Sequence, residues 1–146
     1  MTANEMIQAL NLVPHPEGGW YLETWRSKAK AGERAAASVV YYLIEKGQRS
    51  KWNRVDADEI WLWHGGDPLE LMIAKSDAGP IETVRLGSKV SKGERPQVII
   101  PKDQWQSAAS IEGGKAGYTF LSCVVAPAFE FKTYELAASG WIPGKD

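Results

Sequence analysis

The chain has 146 residues, 44% of them hydrophobic and 24% charged, enough apolar content for one packed domain and too much for disorder. Its 17 basic and 18 acidic residues leave a formal charge of -1, which excludes a global field for nucleic acid or an acidic membrane. No apolar run approaches the ~20 residues of a membrane span. The N-terminus, MTANEMIQAL, lacks the basic start and long apolar stretch of a secretory leader. A lone cysteine, Cys123, allows neither an internal disulfide nor a cysteine-rich zinc site. The expectation is a single cytoplasmic domain over residues 1–146, with no nucleic-acid or membrane partner.

In chain order, Thr2-Ala3-Asn4-Glu5 forms a capping box ahead of Met6, Ile7 and Leu10, which predicts a short amphipathic helix over about 3–11. Pro14 and Pro16 end it. Strands follow at Trp20–Arg26, Ala36–Ile44, Trp52–Val55, Glu59–His64, Leu69–Ala74, Ile81–Leu86, Gln97–Ile100, Trp105–Ala108, Tyr118–Val125 and Phe129–Tyr134. Turn signals such as Gly65-Gly66-Asp67-Pro68 and Asp77-Ala78-Gly79-Pro80 separate them. One helix and about ten strands predict an all-β sandwich, barrel or jelly roll. The barrel spans about 18–136, and 137–146 forms a surface tail anchored by Trp141 or using it to contact a partner.

Seven residues are Trp (Trp20, Trp25, Trp52, Trp61, Trp63, Trp105, Trp141), a residue suited to cores, interfaces and pocket walls alike. On Glu59–His64, period two places Glu59, Trp61 and Trp63 on one face and Ile60, Leu62 and His64 on the other. Both faces are mostly apolar, so both need cover, the second from the N-terminal segment or from another copy of the chain. Glu59 is costly to bury unless it is hydrogen-bonded or beside a cavity.

From Gly47 to Gly66 the sequence follows the first cupin signature, G-x5-H-x-H-x3,4-E-x6-G, with both glycines and Glu59 in register. The second signature, P-x-G-x2-H, falls on Pro101–Gln106. HPEGGWYLETWRS (15–27), SKWNRVDADEIWLWHGGDPLEL (50–71), PQVIIPKDQWQSA (96–108) and CVVAPAFEF (123–131) resemble one branch of the superfamily, the uncharacterised cupin family 5. The resemblance covers 3–136 and implies a double-stranded β-helix, or jelly roll, usually homodimeric, with one pocket per chain. It implies no settled activity.

In metal cupins the signature histidines and glutamate bind the ion. Here those positions hold Asn53, Val55, Glu59 and Gln106, a poor set for a first-row transition metal, so no metal and no other cofactor is expected. The same positions make a polar pocket. Asn53, Glu59, Gln97 and Gln106 supply donors and acceptors, and Trp61, Trp63, Trp105 and Tyr118 supply walls and a phenol. That mixture suits a sugar, a nucleotide-sugar or another small ligand.

His15 and Glu17 are read as turn residues before the first strand, His64 as facing away from the pocket, and Cys123 as buried and inert. Arg26 and Arg54 are either anion ligands or surface ion pairs. Three functions follow: a metal-independent small-molecule binder; an epimerase-like or isomerase-like enzyme with Glu59 as acid or base and Tyr118 or water as its partner; and a non-catalytic dimeric interaction module.

Overall fold

The computed structural model describes residues 1–145. Helix α1 (Ala3–Ala9) opens with the capping box: Thr2 Oγ1 accepts from the Glu5 amide at 3.1 Å, and Glu5 Oε2 accepts from the Thr2 amide at 3.2 Å. It ends two residues short of the expectation, and Asn11 just beyond it has a left-handed backbone (φ 57°), which an α-helix cannot continue through.

Eleven strands follow: β1 (Val13–Pro14), β2 (Trp20–Arg26), β3 (Ser38–Glu45), β4 (Asn53–Arg54), β5 (Asp58–Gly66), β6 (Leu69–Ala74), β7 (Ile81–Leu86), β8 (Gln97–Ile100), β9 (Trp105–Ser110), β10 (Tyr118–Ala126) and β11 (Glu135–Leu136). They form a six-stranded sheet, β1-β2-β3-β10-β5-β8, and a five-stranded sheet, β11-β4-β9-β6-β7, each antiparallel throughout. Together they make a double-stranded β-helix. The inner faces enclose a core of Tyr42, Ile44, Trp61, Leu71, Leu121 and their neighbours. Among the described residues, no helix is long and apolar enough to cross a membrane.

The expected strand at Phe129–Tyr134 is instead a 3-10 turn over Phe131–Thr133, followed by the short β11. The Thr133 amide donates to the Glu130 carbonyl, and the rings of Phe129, Phe131 and Tyr134 pack edge to face, so ring packing replaces strand pairing. β1 is the other departure. It pairs with β2 to make His15-Pro16-Glu17-Gly18-Gly19 the tip of a hairpin rather than a simple lead-in.

The outer faces have different covers. On the larger sheet, α1 and Leu12 pack over Leu43, Tyr118 and Phe120. On the smaller one, Trp52, Ala74 and Trp105 lie beneath the C-terminal segment, with Trp141 packed at a tilt against Trp105, ring centroids 4.6 Å apart. A row on the outer face of the larger sheet is half-buried in the middle and open at its ends. Trp25, Val39, Val124, Ile60 and Ile99 are register partners across five adjacent strands, and the two ends, Trp25 and Ile99, are 53% and 57% exposed.

The hairpin tip is pinned by backbone geometry. Gly19 has φ +79°, and a Cβ there would lie 2.6 Å from Tyr42 Oη and 2.9 Å from the Leu43 carbonyl oxygen. Gly32 has a similar φ of +81° but open space around it. Gly19→Ala should therefore destabilise the fold by about 3 kcal/mol and Gly32→Ala by only about 1 kcal/mol in urea unfolding.

Candidate functional site

A cavity of about 250 Å³ opens between the inner sheet faces at the end closed by the hairpin tip and the 129–134 segment. Its polar side is one hydrogen-bonded chain. Asn53 of β4 and Gln106 of β9 are register partners, so their side chains emerge side by side. Gln106 Nε2 donates to Asn53 Oδ1 at 3.1 Å and to Glu59 Oε1 at 2.7 Å. Asn53 Nδ2 donates to Glu17 Oε2 at 3.0 Å and to the Lys51 carbonyl at 2.7 Å. The chain thus runs Glu17–Asn53–Gln106–Glu59, with Asn53 only 1% and Gln106 4% exposed.

Apart from His15 and Glu23, the rest of the lining is aromatic and aliphatic, with Tyr21, Tyr42, Trp61, Phe129, Phe131 and Tyr134 as its rings. His15 packs edge-on against Tyr21 at 4.5 Å. Its Nδ1 accepts the Glu17 amide at 3.1 Å, so its ring proton belongs on Nε2. Tyr42 donates its hydroxyl to the Gly18 carbonyl, tying β3 to the hairpin tip. Three polar atoms on lining residues are buried without a partner: Trp61 Nε1, Gln106 Oε1 and Tyr134 Oη.

Burial governs the ionisation of this site. It pushes the Glu17 carboxyl up to about 8, helped by the neighbouring Glu59 charge and opposed by Asn53 and Ser50. Glu59 is raised by burial too, against smaller opposing effects of Gln106, Cys123 and Trp61. Burial lowers His15 to about 4 and raises the Cys123 thiol, the Tyr42 phenol and the Tyr134 phenol. At neutral pH Glu17 is therefore mostly a neutral acid beside a neutral imidazole.

Of the residues expected to bind ligand, Asn53, Glu59, Trp61 and Gln106 come together at the cavity. Trp63, Gln97, Trp105 and Tyr118 do not line it. Trp105 neighbours Gln106 on one strand and so points to the opposite face, where it meets Trp52, Trp141 and the Arg54 guanidinium (4.4 Å), with Nε1 donating to Asp77 at 2.8 Å. Gln97 is paired with Leu62 on the outer face of the larger sheet. Tyr118 belongs to the layer under α1, too far round the barrel to serve Glu59 as an acid. Trp63 shares the inner face with Trp61 but lies two residues farther along β5 from Glu59 and is less buried, its Nε1 donating to the Asp67 carbonyl at 3.1 Å. His64 is on the outer face, beside Ser122 at 2.6 Å. Arg26 and Arg54 form ion pairs with Glu23 and Glu135, each at 2.7 Å.

Glu17, His15, Tyr42, Tyr134 and Cys123 are cavity residues that sequence reasoning assigned to turns or core, or did not single out. The available signal was the HPEGG hairpin tip: two glycines let a polar segment fold back over the barrel mouth.

The four positions that would hold a metal in a cupin do not fit one. Val55 has no donor atom, and the Gln106 amide N–H group, not its oxygen, faces Glu59 and Asn53, whose oxygens it occupies. Among the described residues, no group of three or more His, Cys, Asp and Glu is placed to hold an ion.

Residues 4–137 match the family described as Cupin superfamily (DUF985). A hypothetical protein from Leishmania major is 33% identical, with TM-score 0.86 over 97% of this chain and 90% of that one. A protein from Shewanella oneidensis is also 33% identical, with TM-score 0.86 over 94% and 85%. Oxalate decarboxylase from Bacillus subtilis shares the fold alone, at 13% identity and TM-score 0.62, over 84% of this chain and 29% of that one. No curated protein matches the sequence.

The ionisation of Glu17 predicts the pH dependence of stability. Its folded-state value is raised, so between about pH 6.5 and pH 8 the unfolded chain has already lost this proton while the native state still holds it. Stability therefore falls as pH rises through this window. His15, lowered in the folded state, contributes stability that is lost only as pH falls from about 6.5 towards 4. Glu17→Gln should remove most of the decline between pH 6.5 and pH 8, measured by urea unfolding at each pH.

Proposed function

The chain belongs to the cupin superfamily, in the family DUF985, and from that premise we propose that it is a small-molecule-binding cupin whose cavity takes a compact, hydroxyl-bearing, non-anionic molecule of monosaccharide size without a metal. The observation that carries this reading is the Glu17–Asn53–Gln106–Glu59 chain set against aromatic walls. Flat rings stack on a sugar-like C–H face while amides and carboxyls fix hydroxyl groups. The unpartnered Trp61 Nε1, Gln106 Oε1 and Tyr134 Oη support it, since buried polar atoms without partners are rare.

Size and charge narrow the class. A cavity of about 250 Å³ is at the small end beside the roughly 300–1,000 Å³ of drug-sized pockets. No Lys or Arg belongs to its lining, which favours a free sugar over a nucleotide-sugar, whose phosphates need cations. The second reading, an epimerase-like enzyme, has one observation in its favour. Glu59 and Glu17 are two carboxyl groups in one cavity, both raised by burial, as acid–base pairs often are.

A thermal-shift and ligand-observed NMR screen over monosaccharides, polyols, nucleotide-sugars and small carboxylic acids tests both. A monosaccharide-sized, non-anionic hit that Trp61→Ala weakens by about 2 kcal/mol, or roughly thirtyfold, supports the binder. Solvent deuterium entering that hit, and failing to enter with Glu59→Gln, establishes the enzyme instead. No hit across the panel, with Trp61→Ala altering stability only, leaves an interaction module.

The proposal includes a homodimer formed through that outer row of the larger sheet. Trp25, Val39, Val124, Ile60 and Ile99 make a continuous apolar strip with exposed ends, the kind of surface that a second copy covers. Sedimentation should give a dimer for the native chain and a folded monomer for the Trp25→Lys, Ile99→Lys double variant. A native monomer would refute this part of the proposal.

A further inference from the structure

Two carboxyl groups of the cavity lack a balancing cation. Glu17 and Glu59 are held by amides, from Asn53 at 3.0 Å and Gln106 at 2.7 Å. The third carboxylate of the lining, Glu23, is bound by Arg26 at 2.7 Å. His15 comes within 3.3 Å of Glu17 Oε1, but burial keeps it neutral above about pH 4, so it brings no charge at pH 7.

Around these carboxyls stand Tyr21, Tyr42, Trp61, Phe129, Phe131 and Tyr134. The faces of such rings attract positive charge and repel negative charge, as carboxylates do. Gln106 Oε1, on the same lining and buried, is an acceptor still waiting for a donor. Walls, carboxyls and this acceptor agree in sign, and the unpartnered Trp61 N–H on the same lining is a donor left for the ligand's hydroxyl oxygen.

We propose that the ligand of this cavity is a hydroxylated organic ammonium ion, held by the aromatic faces and by Glu17 and Glu59. The inference rests on the reading that the cavity binds a compact organic molecule, and adds the charge that molecule carries. In the empty cavity a proton neutralises Glu17 at pH 7. When the cation enters, the Glu17 O–H bond breaks, the proton leaves to solvent, and the carboxylate faces the ammonium group. No other bond changes.

The coupling fixes the pH dependence. Besides Glu59, the titratable groups beside Glu17 on the lining are His15, Tyr21, Tyr42, Cys123 and Tyr134, with Glu23 at the rim on Arg26. His15 is already neutral at pH 6, and burial holds the protons on Cys123, Tyr42 and Tyr134. Affinity for a permanent cation should therefore rise by up to about tenfold per pH unit between about pH 6 and pH 7.5, and level off above pH 8.

Calorimetric titration of the full chain with three isosteric probes tests this: choline, the neutral 3,3-dimethylbutan-1-ol and the anionic 3,3-dimethylbutanoate. Choline should bind at least about tenfold more tightly than the alcohol and release protons at pH 7, the anion should not bind, and choline affinity should climb with pH. Glu17→Gln should bring the choline-to-alcohol ratio towards one. Because the probe comparison and the pH series use the native chain, the test survives a variant that fails to fold. Equal binding of alcohol and choline would overturn the ammonium assignment and leave the small-molecule reading standing. Binding of none of the three would overturn the assignment too, and the saccharide screen alone would then decide the broader reading.

Discussion

The polar end of the cavity depends on one register-opposed pair, Asn53 and Gln106, where β4 and β9 meet. A buried carboxyl group is tolerated only where hydrogen bonds replace the water it has lost. Asn53 and Gln106 spend their amide donors on that task, one reaching Glu17 on the hairpin tip and the other Glu59 on the opposite sheet. Three separate parts of the chain are thereby joined by side chains rather than by strand ladders. The hairpin tip is also held by the Lys51 amide, which donates to the Glu17 carbonyl at 2.7 Å, and by the Tyr42 hydroxyl on the Gly18 carbonyl, so Glu17 meets the Asn53 donor on a tip already fixed over the barrel mouth.

The same pair explains why the site differs in kind from a metal centre of the same fold. Coordination needs several lone pairs converging on one point. Here the lone pairs of Glu59 and Asn53 accept from Gln106, and position 55 is a valine. The chemistry left to the cavity is that of hydrogen bonds, protons and aromatic faces. Burial then determines which protons are held: those of Glu17, Cys123 and the two phenols stay, while His15 gives its second proton up. The result is an interior rich in acceptors, with no Lys or Arg on its lining.

Local pattern was a good guide wherever a single strand decides the outcome. β2, β6, β7 and β8 match their expected ranges in full, because alternating apolar residues between turn signals leave little choice of element. The parity of β5 placed Glu59 and Trp61 inward and His64 outward. The reading faltered where an aromatic run met tertiary packing: Phe129–Tyr134 has strand composition, yet its rings pack on one another in a 3-10 turn. It also faltered at Trp105, which strand alternation separates from its neighbour Gln106, and at Trp63, which shares a face with Trp61 but lies farther along β5 from the cavity.

By itself the sequence determined an all-β domain, the inward face of β5 and the replacement of the metal-binding histidines, and through its resemblance to a cupin family it implied the jelly roll. The first three are written in residue type and spacing along a continuous stretch. Tertiary structure alone decided that Glu17 joins Glu59, that Gln97, Trp105 and Tyr118 stand outside the cavity, and that Glu17 and Glu59 are held by amides rather than by a Lys or Arg. Those facts depend on which distant strands become neighbours and how a hairpin folds over a barrel mouth. Spacing along the chain holds no record of contacts between residues 36 or 47 positions apart, such as Asn53 with Glu17 and Gln106 with Glu59; burial and sheet register create them.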